Sequence, residues 1–286
     1  MQKVNLTDYK VYGVMGETFE LPSDYEVLGF LGSGAYGCVA AARVGNEVVA
    51  IKKCKQIFQS RTLAKRTLRE VRLLRLLSHP NIIQLKKVLL PRYPNSYNSL
   101  YCVFQCMETD LASVIRSGQH LSDKHVLYFS LQLLRACDHL HDSNVCHRDI
   151  KPRNILVNAN CTLKLADFGL SRIHAVEGDT RTVQMTEYVT TRWYRAPEVL
   201  LGWGSYGTGI DLWAVGCVIG EMVGRTPLFP GSDSTCQINL IVAALGKPSK
   251  SYISNIRKTS FSEMLSSLPD DDLSHKRKDI RAVISE

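Results

Sequence analysis

His147-Arg148-Asp149-Ile150-Lys151-Pro152-Arg153-Asn154 places a carboxylate, an ammonium and a carboxamide within a few positions of one another, directly after a long amphipathic stretch. In the order H-R-D-x-x-x-x-N these groups suit phosphoryl transfer. Asp149 is the candidate base that orients an attacking hydroxyl and accepts its proton. Lys151 neutralises charge on the transferred phosphoryl group, and Asn154 offers an oxygen to a magnesium ion. Asp167-Phe168-Gly169 follows, with Asp167 as the main magnesium ligand. Carboxylate and amide oxygens suit a hard cation that keeps phosphate and water ligands. Either tripeptide alone could be ordinary turn chemistry; the weight lies in their order and in the elements between them.

Those elements are legible from their periods. Upstream, Ser122–Leu140 puts Val126, Phe129, Leu133, Cys137 and Leu140 on one helical face, with Ser122 or Asp123 as cap. Between the two motifs, Ile155–Val157 and Thr162–Leu165 predict a hairpin around Asn158-Ala159-Asn160. Near the other end, Tyr25–Leu28, Cys38–Ala40 and Val48–Ile51 predict three strands, and Ile82–Leu90 and Leu100–Gln105 two more. Ser60–Leu77 predicts a helix with Leu63, Leu68, Val71, Leu74 and Leu77 inward, ended by His79-Pro80-Asn81. Asp211–Val223 is nearly all apolar and predicts a buried helix; residues 170–191 are long, polar and aperiodic, as functional loops are.

The first two predicted strands flank Gly32-Ser33-Gly34-Ala35-Tyr36-Gly37-Cys38-Val39. Glycines let backbone amides approach phosphate oxygens. A dinucleotide-binding loop of similar spelling would run from a strand into a helix. Strands on both sides argue instead for a hairpin folded over a nucleotide, although simple turn glycines would read the same. Val49-Ala50-Ile51-Lys52 ends an apolar strand on a lysine, a cation for the α- and β-phosphates, and Glu70 in the following helix is its expected ion partner.

Composition narrows the classes. The chain has 286 residues, 45% hydrophobic and 22% charged, in the range of an ordinary globular protein. No apolar run approaches the roughly 18 residues of a membrane helix, and the N-terminus lacks a secretory pattern, so no membrane partner is expected. Nine scattered cysteines without a C-x-x-C pair suit a reducing compartment, and eight histidines make no H-E-x-x-H spacing. The net charge of +8 is spread along the chain, so a solvated basic surface is expected and no specific nucleic-acid partner.

Over residues 24–245 the chain resembles the protein kinases and, more narrowly, the mitogen-activated protein kinases of the extracellular-signal-regulated branch. The narrowing residues are Met107-Glu108-Thr109-Asp110-Leu111, Thr186-Glu187-Tyr188, and Thr191-Arg192-Trp193-Tyr194-Arg195-Ala196-Pro197-Glu198. The resemblance implies the α+β two-lobed kinase fold, with an N-terminal arm over 1–23, a β-rich lobe over 24–106 and a helical lobe over 107–286. It implies ATP and Mg2+ as cofactors, with Leu31, Gly32, Gly34, Gly37, Val39, Ala50, Lys52, Phe104 and Met107 about the nucleotide, and Thr191 beside the catalytic loop. It implies switching by phosphorylation of Thr186 and Tyr188, with Arg66, Arg69, Arg148 and Arg172 gathering the first phosphate and Arg192 and Arg195 the second. Docking Thr186 on Arg66 and Arg69 would tie the loop to the helix of Glu70. Partners are then protein substrates with Ser/Thr-Pro sites, met by a pocket wall at Trp193-Tyr194-Arg195; an upstream dual-specificity kinase or autophosphorylation; and phosphatases. The expected location is the cytoplasm, with the nucleus as a second site. Asp211 matches the carboxylate that holds the His147-Arg148 backbone, a role compatible with capping its own helix.

Two departures stand out. Phe104 brings an aromatic ring to a position where smaller or polar residues are usual in this family. After Leu245-Gly246-Lys247-Pro248 the likeness fades, and no arginine matches the partner of a buried Glu198; a truncated gene product is the expectation, with an uncompensated charge costing about 3–5 kcal/mol. An inactive kinase-like scaffold is the competing function, disfavoured because Lys52, Glu70, Asp149, Asn154 and Asp167 are all present.

Overall fold

The computed structural model describes residues 8–34, 37–92, 98–173, 192–201, 207–254, 263 and 265–266. The chain divides into two compact units, Met1–Glu108 with Ala166–Leu170, and Thr109–Leu165 with Ser171–Glu286.

In the first unit, alternating apolar residues build strands β1 (Tyr9–Val14), β2 (Glu17–Pro22), β3 (Tyr25–Gly34), β4 (Gly37–Val44) and β5 (Glu47–Cys54), then helix α1 (Arg61–Leu76), β6 (Leu85–Leu89) and β7 (Leu100–Gln105). A five-stranded antiparallel sheet runs in the order β3-β4-β5-β7-β6. The expected N-terminal arm is, over Tyr9–Pro22, a β1–β2 hairpin. Phe19 and Leu21 are fully buried in one apolar cluster with Tyr25, Ala40, Ile51 and Tyr101. Phe19 lies 5.8 Å from Tyr101, ring to ring, and the Tyr101 hydroxyl accepts from the Glu20 amide at 3.0 Å. Each buried aromatic of this size contributes about 1.5–3 kcal/mol, so the segment is part of the core.

Helix α1 starts where Ser60 accepts the Leu63 amide at 3.1 Å, a cap worth about 1 kcal/mol. Its buried face differs from the one its leucines suggest. Thr67, Glu70, Leu73 and Leu74 are inside, whereas Leu68 is 52% exposed. The helix packs against the turn Phe168–Leu170, where Phe168 is fully buried.

The second unit begins with β8 (Thr109–Asp110) and the short helix α2 (Leu111–Arg116), capped by Asp110 on the Ser113 amide. Helix α3 (Asp123–Asp142) follows, and Ser122 and His125 form a capping box. The five residues expected on its inner face are all buried. It packs on β11 (Leu163–Leu165) and α5 (Gly209–Gly224). β9 (Val145–Cys146) and β10 (Ile155–Val157) bracket the catalytic motif. β10 pairs with β11 and β8, and β9 pairs with β12 (Arg172–Ile173). The buried Gln132 of α3 donates to the Cys161 carbonyl at 2.8 Å and accepts the Leu163 amide at 2.9 Å, pinning the β10–β11 turn. Helices α4 (Pro197–Leu200), α6 (Ser234–Leu245) and α7 (Lys250–Ser254) complete the described chain, around a cluster that includes Leu200, Phe229, Ile238 and Leu265.

Glu198, expected to be a buried charge, is half-buried at the start of α4, so water screens it and the expected penalty does not apply.

Candidate active site

In the first unit, the glycine-rich stretch is the β3–β4 hairpin. Ser33 pairs with Cys38 and Gly34 with Gly37, so no helix follows it. Its glycines are not equivalent. A Cβ on Gly32 or Gly34 would meet nothing within 4 Å, leaving that backbone open to approach, whereas one on Gly37 would lie 2.2 Å from the Lys53 carbonyl oxygen. Gly37 is therefore required by the packing of β4 on β5. Leu31 is 45% exposed on this hairpin, Val39 and Ala50 are half-buried on β4 and β5, and Phe104 and Met107 are buried. Phe104 stands opposite Ala50 and Leu85 in the sheet register.

Lys52 sits on β5 opposite Val39 and Cys102. Its ammonium donates to Glu70 Oε1 at 2.6 Å and lies 3.9 Å from Asp167 Oδ1. Burial works to discharge Lys52, but the Glu70 carboxylate and then Asp167 outweigh it, and the ammonium is held well above its ordinary pKa. Lys52 is therefore a fixed positive charge at every physiological pH. Glu70 occupies the inner face of α1 because that charge is there. Asp167 adopts a left-handed backbone, φ 63°, and its Oδ1 accepts the Gly169 amide at 3.4 Å. A Cβ on Gly169 would come within 2.7 Å of Arg66 Nε, so Arg66 lies directly against this turn. Arg69 is half-buried on the same helix.

In the second unit, Asp149 is buried, and both its oxygens accept from Lys151 Nζ, at 3.1 and 2.8 Å. Asn154 Nδ2 donates to the Asp149 carbonyl at 2.8 Å and to its Oδ2 at 2.9 Å. Both amide protons of Asn154 are thus committed to Asp149, and the oxygen is what Asn154 can offer a cation. His147 Nδ1 accepts the Asp149 amide at 3.3 Å. Arg148 stands at φ 72°, a strained conformation for a long side chain.

Asp211 sustains that strain. It is fully buried in the first turn of α5 and accepts the His147 and Arg148 amides, each at 2.8 Å, with His141 Nε2 at 3.0 Å. It is not the cap of its helix, a position held by Thr208. Burial pushes the Asp211 carboxyl up, but the His141 hydrogen bond and the two amides outweigh this and hold it below the usual carboxylate range. A depressed pKa stabilises the fold above the ordinary carboxylate pKa and is lost as pH falls through the folded value. Asp211→Asn is therefore expected to cost about 3 kcal/mol of stability at pH 7. Chemical unfolding should show the difference beginning to shrink as pH falls below roughly 4, where the unfolded carboxyl takes up its proton, and vanishing only at the lower pH where the folded carboxyl is protonated as well.

After the long loop, Arg192–Tyr194 forms a single turn of 3₁₀ helix. Arg148, Asp149, Tyr194, Arg195, Ala196 and Asp211 line one pocket. Arg172 pairs with Cys146 across β12–β9, and its guanidinium donates to the Ser171 carbonyl; Arg192 donates to the Ser232 carbonyl at 2.9 Å. The expected phosphorylation sites Thr186 and Tyr188, and Thr191, lie outside the described residues. Ser171, unremarked in the sequence, is fully buried and donates to the His147 carbonyl at 3.3 Å. It carries no signal because it sits two residues past a recognisable motif.

Comparison with known proteins agrees with this chemistry. The protein kinase domain family matches residues 25–282. Mitogen-activated protein kinase 4 of Oryza sativa subsp. japonica is 46% identical over 263 residues, 91% of this chain and 70% of the relative. Mitogen-activated protein kinase 7 of Arabidopsis thaliana is 46% identical over 260 residues, 90% and 70%. Extracellular signal-regulated kinase 1 of Dictyostelium discoideum is 46% identical over 254 residues, 88% of this chain and 47% of that protein. With a clamped lysine, a caged aspartate and relatives matched along nine-tenths of its length, the chain belongs to the mitogen-activated protein kinases, the ATP-dependent serine/threonine kinases of the protein kinase domain family.

Proposed function

We propose that this kinase phosphorylates serine or threonine followed by proline, and that phosphorylation of Thr186 and Tyr188 switches it on. The observation that carries the reading is the anchored turn Arg192–Tyr194 together with the pocket that Tyr194 and Arg195 share with Asp149. A rigid wall beside the base selects the residue after the acceptor hydroxyl.

In this reading Lys52, held by Glu70, fixes the α- and β-phosphates. Asp149 orients the acceptor hydroxyl and takes its proton. Lys151, already on Asp149, neutralises charge as the phosphoryl group moves. Asp167 and the Asn154 oxygen are the residues that would hold magnesium, a donor set that suits a cation taking one or two carboxylates and keeping the rest of its sites for phosphate and water. Bound there, the ion would supply charge to offset the negative charge that develops on the transferred phosphoryl group. Phosphates at Thr186 and Tyr188 each add about −1.5 to −2 charges. Arg148, Arg172, Arg66 and Arg69 are the cations for the first, Arg192 and Arg195 for the second. An upstream dual-specificity kinase or the chain itself supplies the phosphates, and phosphatases remove them. All nine cysteines are unpaired, which supports a reducing compartment such as the cytoplasm, with the nucleus as a second site.

The test compares Ser-Pro and Ser-Ala peptides before and after treatment with an upstream kinase. The treated wild type should prefer the Ser-Pro peptide by tenfold or more in kcat/KM, about 1.4 kcal/mol of transition-state discrimination. Thr186→Ala/Tyr188→Phe should respond to treatment by less than about a tenth as much. Equal use of both peptides would refute the proline preference.

A further inference from the structure

Helix α6 carries a fully buried amide, Gln237, among Ile238, Ile241 and Val242. A leucine there would pack without a polar group to satisfy, so what the amide does needs accounting for. Its Oε1 accepts the Gly231 amide at 3.0 Å, and its Nε2 donates to the Trp193 carbonyl at 3.3 Å. The Trp193 indole N–H in turn donates to the Gly231 carbonyl at 3.2 Å. The three residues form a closed ring in which each gives one hydrogen bond and receives one. The approach is close: a Cβ on Gly231 would lie 2.5 Å from Gln237 Oε1 and 2.6 Å from its backbone nitrogen. The turn is gripped at its ends as well, with Arg192 on the Ser232 carbonyl and the Tyr194 hydroxyl on Glu221 Oε2 at 2.6 Å. Burial raises both Tyr194 and Glu221, which keeps the tyrosine a proton donor. The grips at 192 and 194 act through side chains at the edges of the turn. Gln237 alone among them holds the main chain at its centre.

We propose that Gln237 is a positioning residue for the peptide substrate, setting the wall at Trp193 through the Trp193 carbonyl. This rests on the reading of Trp193–Arg195 as that wall. Gln237 itself does not touch substrate; it fixes the height and tilt of the segment that does. The ring lies wholly within residues 193–237, so the wall is preformed by packing and the phosphorylated loop joins a wall already in place.

The experiment uses the full chain, treated with the upstream kinase and matched for phosphorylation by mass. Gln237→Glu is nearly isosteric and keeps the acceptor for Gly231, but it sets an oxygen against the Trp193 carbonyl. The expected result is a peptide KM raised about tenfold, with the ATP KM and kcat within about twofold of wild type. Trp193→Phe removes a different bond of the same ring and should raise peptide KM about threefold. The double variant should fall short of the product of the two effects, because both break one network. An unchanged peptide KM in Gln237→Glu overturns the proposal, as does a fall in kcat with both KM values altered alike. Should Gln237→Glu fail to fold, Trp193→Phe decides, and an unchanged peptide KM there overturns it. Loss of proline preference in the wild type would refute the proline reading on its own, while peptide KM continues to report on Gln237.

Discussion

Replacing Asp149 by asparagine is expected to lower kcat by about 10³-fold, within the range that a positioned general base contributes, while the ATP KM stays within about twofold. The structure gives two reasons for an effect this large. The carboxylate is aligned to take a proton, since Lys151 and Asn154 both donate to it and hold it in place. An amide at position 149 would also keep one oxygen and set an NH2 group in place of the other, so Lys151 would lose one of its two acceptors. The ATP contacts are assigned to other residues, and binding of nucleotide should survive. Steady-state kinetics with ATP and peptide varied separately check both halves of the expectation. A variant that loses ATP affinity and keeps kcat would mean that the carboxylate serves the nucleotide rather than the hydroxyl.

Asp167→Asn should act on the metal and on Lys52 together. The residue is isosteric, and asparagine tolerates the left-handed backbone found at φ 63°, so the turn should keep its shape. The lost charge should lower kcat/KM by about 10³-fold or more and raise the Mg2+ concentration needed for half-maximal rate, since a carboxylate supplies several kcal/mol of cation binding and charge stabilisation. Lys52 would keep Glu70 at 2.6 Å and lose its more distant partner at 3.9 Å, and so should remain charged. A magnesium titration of the initial rate separates this from a folding defect: loss of rate with an unchanged magnesium dependence would count against Asp167 as a ligand.

The chemistry of this protein was easier to read in the sequence than the scaffold that aims it. Lys52, Glu70, Asp149, Asn154 and Asp167 announce themselves by spacing, and the strands about Lys52 and the inner face of α3 follow their apolar periods. The face of α1 does not. Its inner positions include Thr67 and Glu70, which a count of leucines assigns to solvent, and the exposed Leu68 pulls the reading round the helix. The β1–β2 hairpin is obscured because its inward residues, Tyr12, Val14, Phe19 and Leu21, are few, while Val11 and Met15 lie on the outside. Asp211 could be read as cap or as clamp, and only geometry shows its oxygens on the His147 and Arg148 amides. Gln237 has no motif at all. A buried amide in an apolar helix looks in sequence like a residue on the polar face, and its role depends on partners 6 and 44 positions away.

The central claim is that this chain transfers the γ-phosphate of ATP through Asp149 and Asp167. The most direct measurement is a single-turnover assay with γ-labelled ATP, Mg2+ and a Ser-Pro peptide, run on the chain after treatment with an upstream dual-specificity kinase. The upstream enzyme is removed before the assay. Label should appear on peptide serine with the wild type and be lost to background with Asp167→Asn. Absence of label from the treated wild type, or equal labelling by the two proteins, would contradict the account.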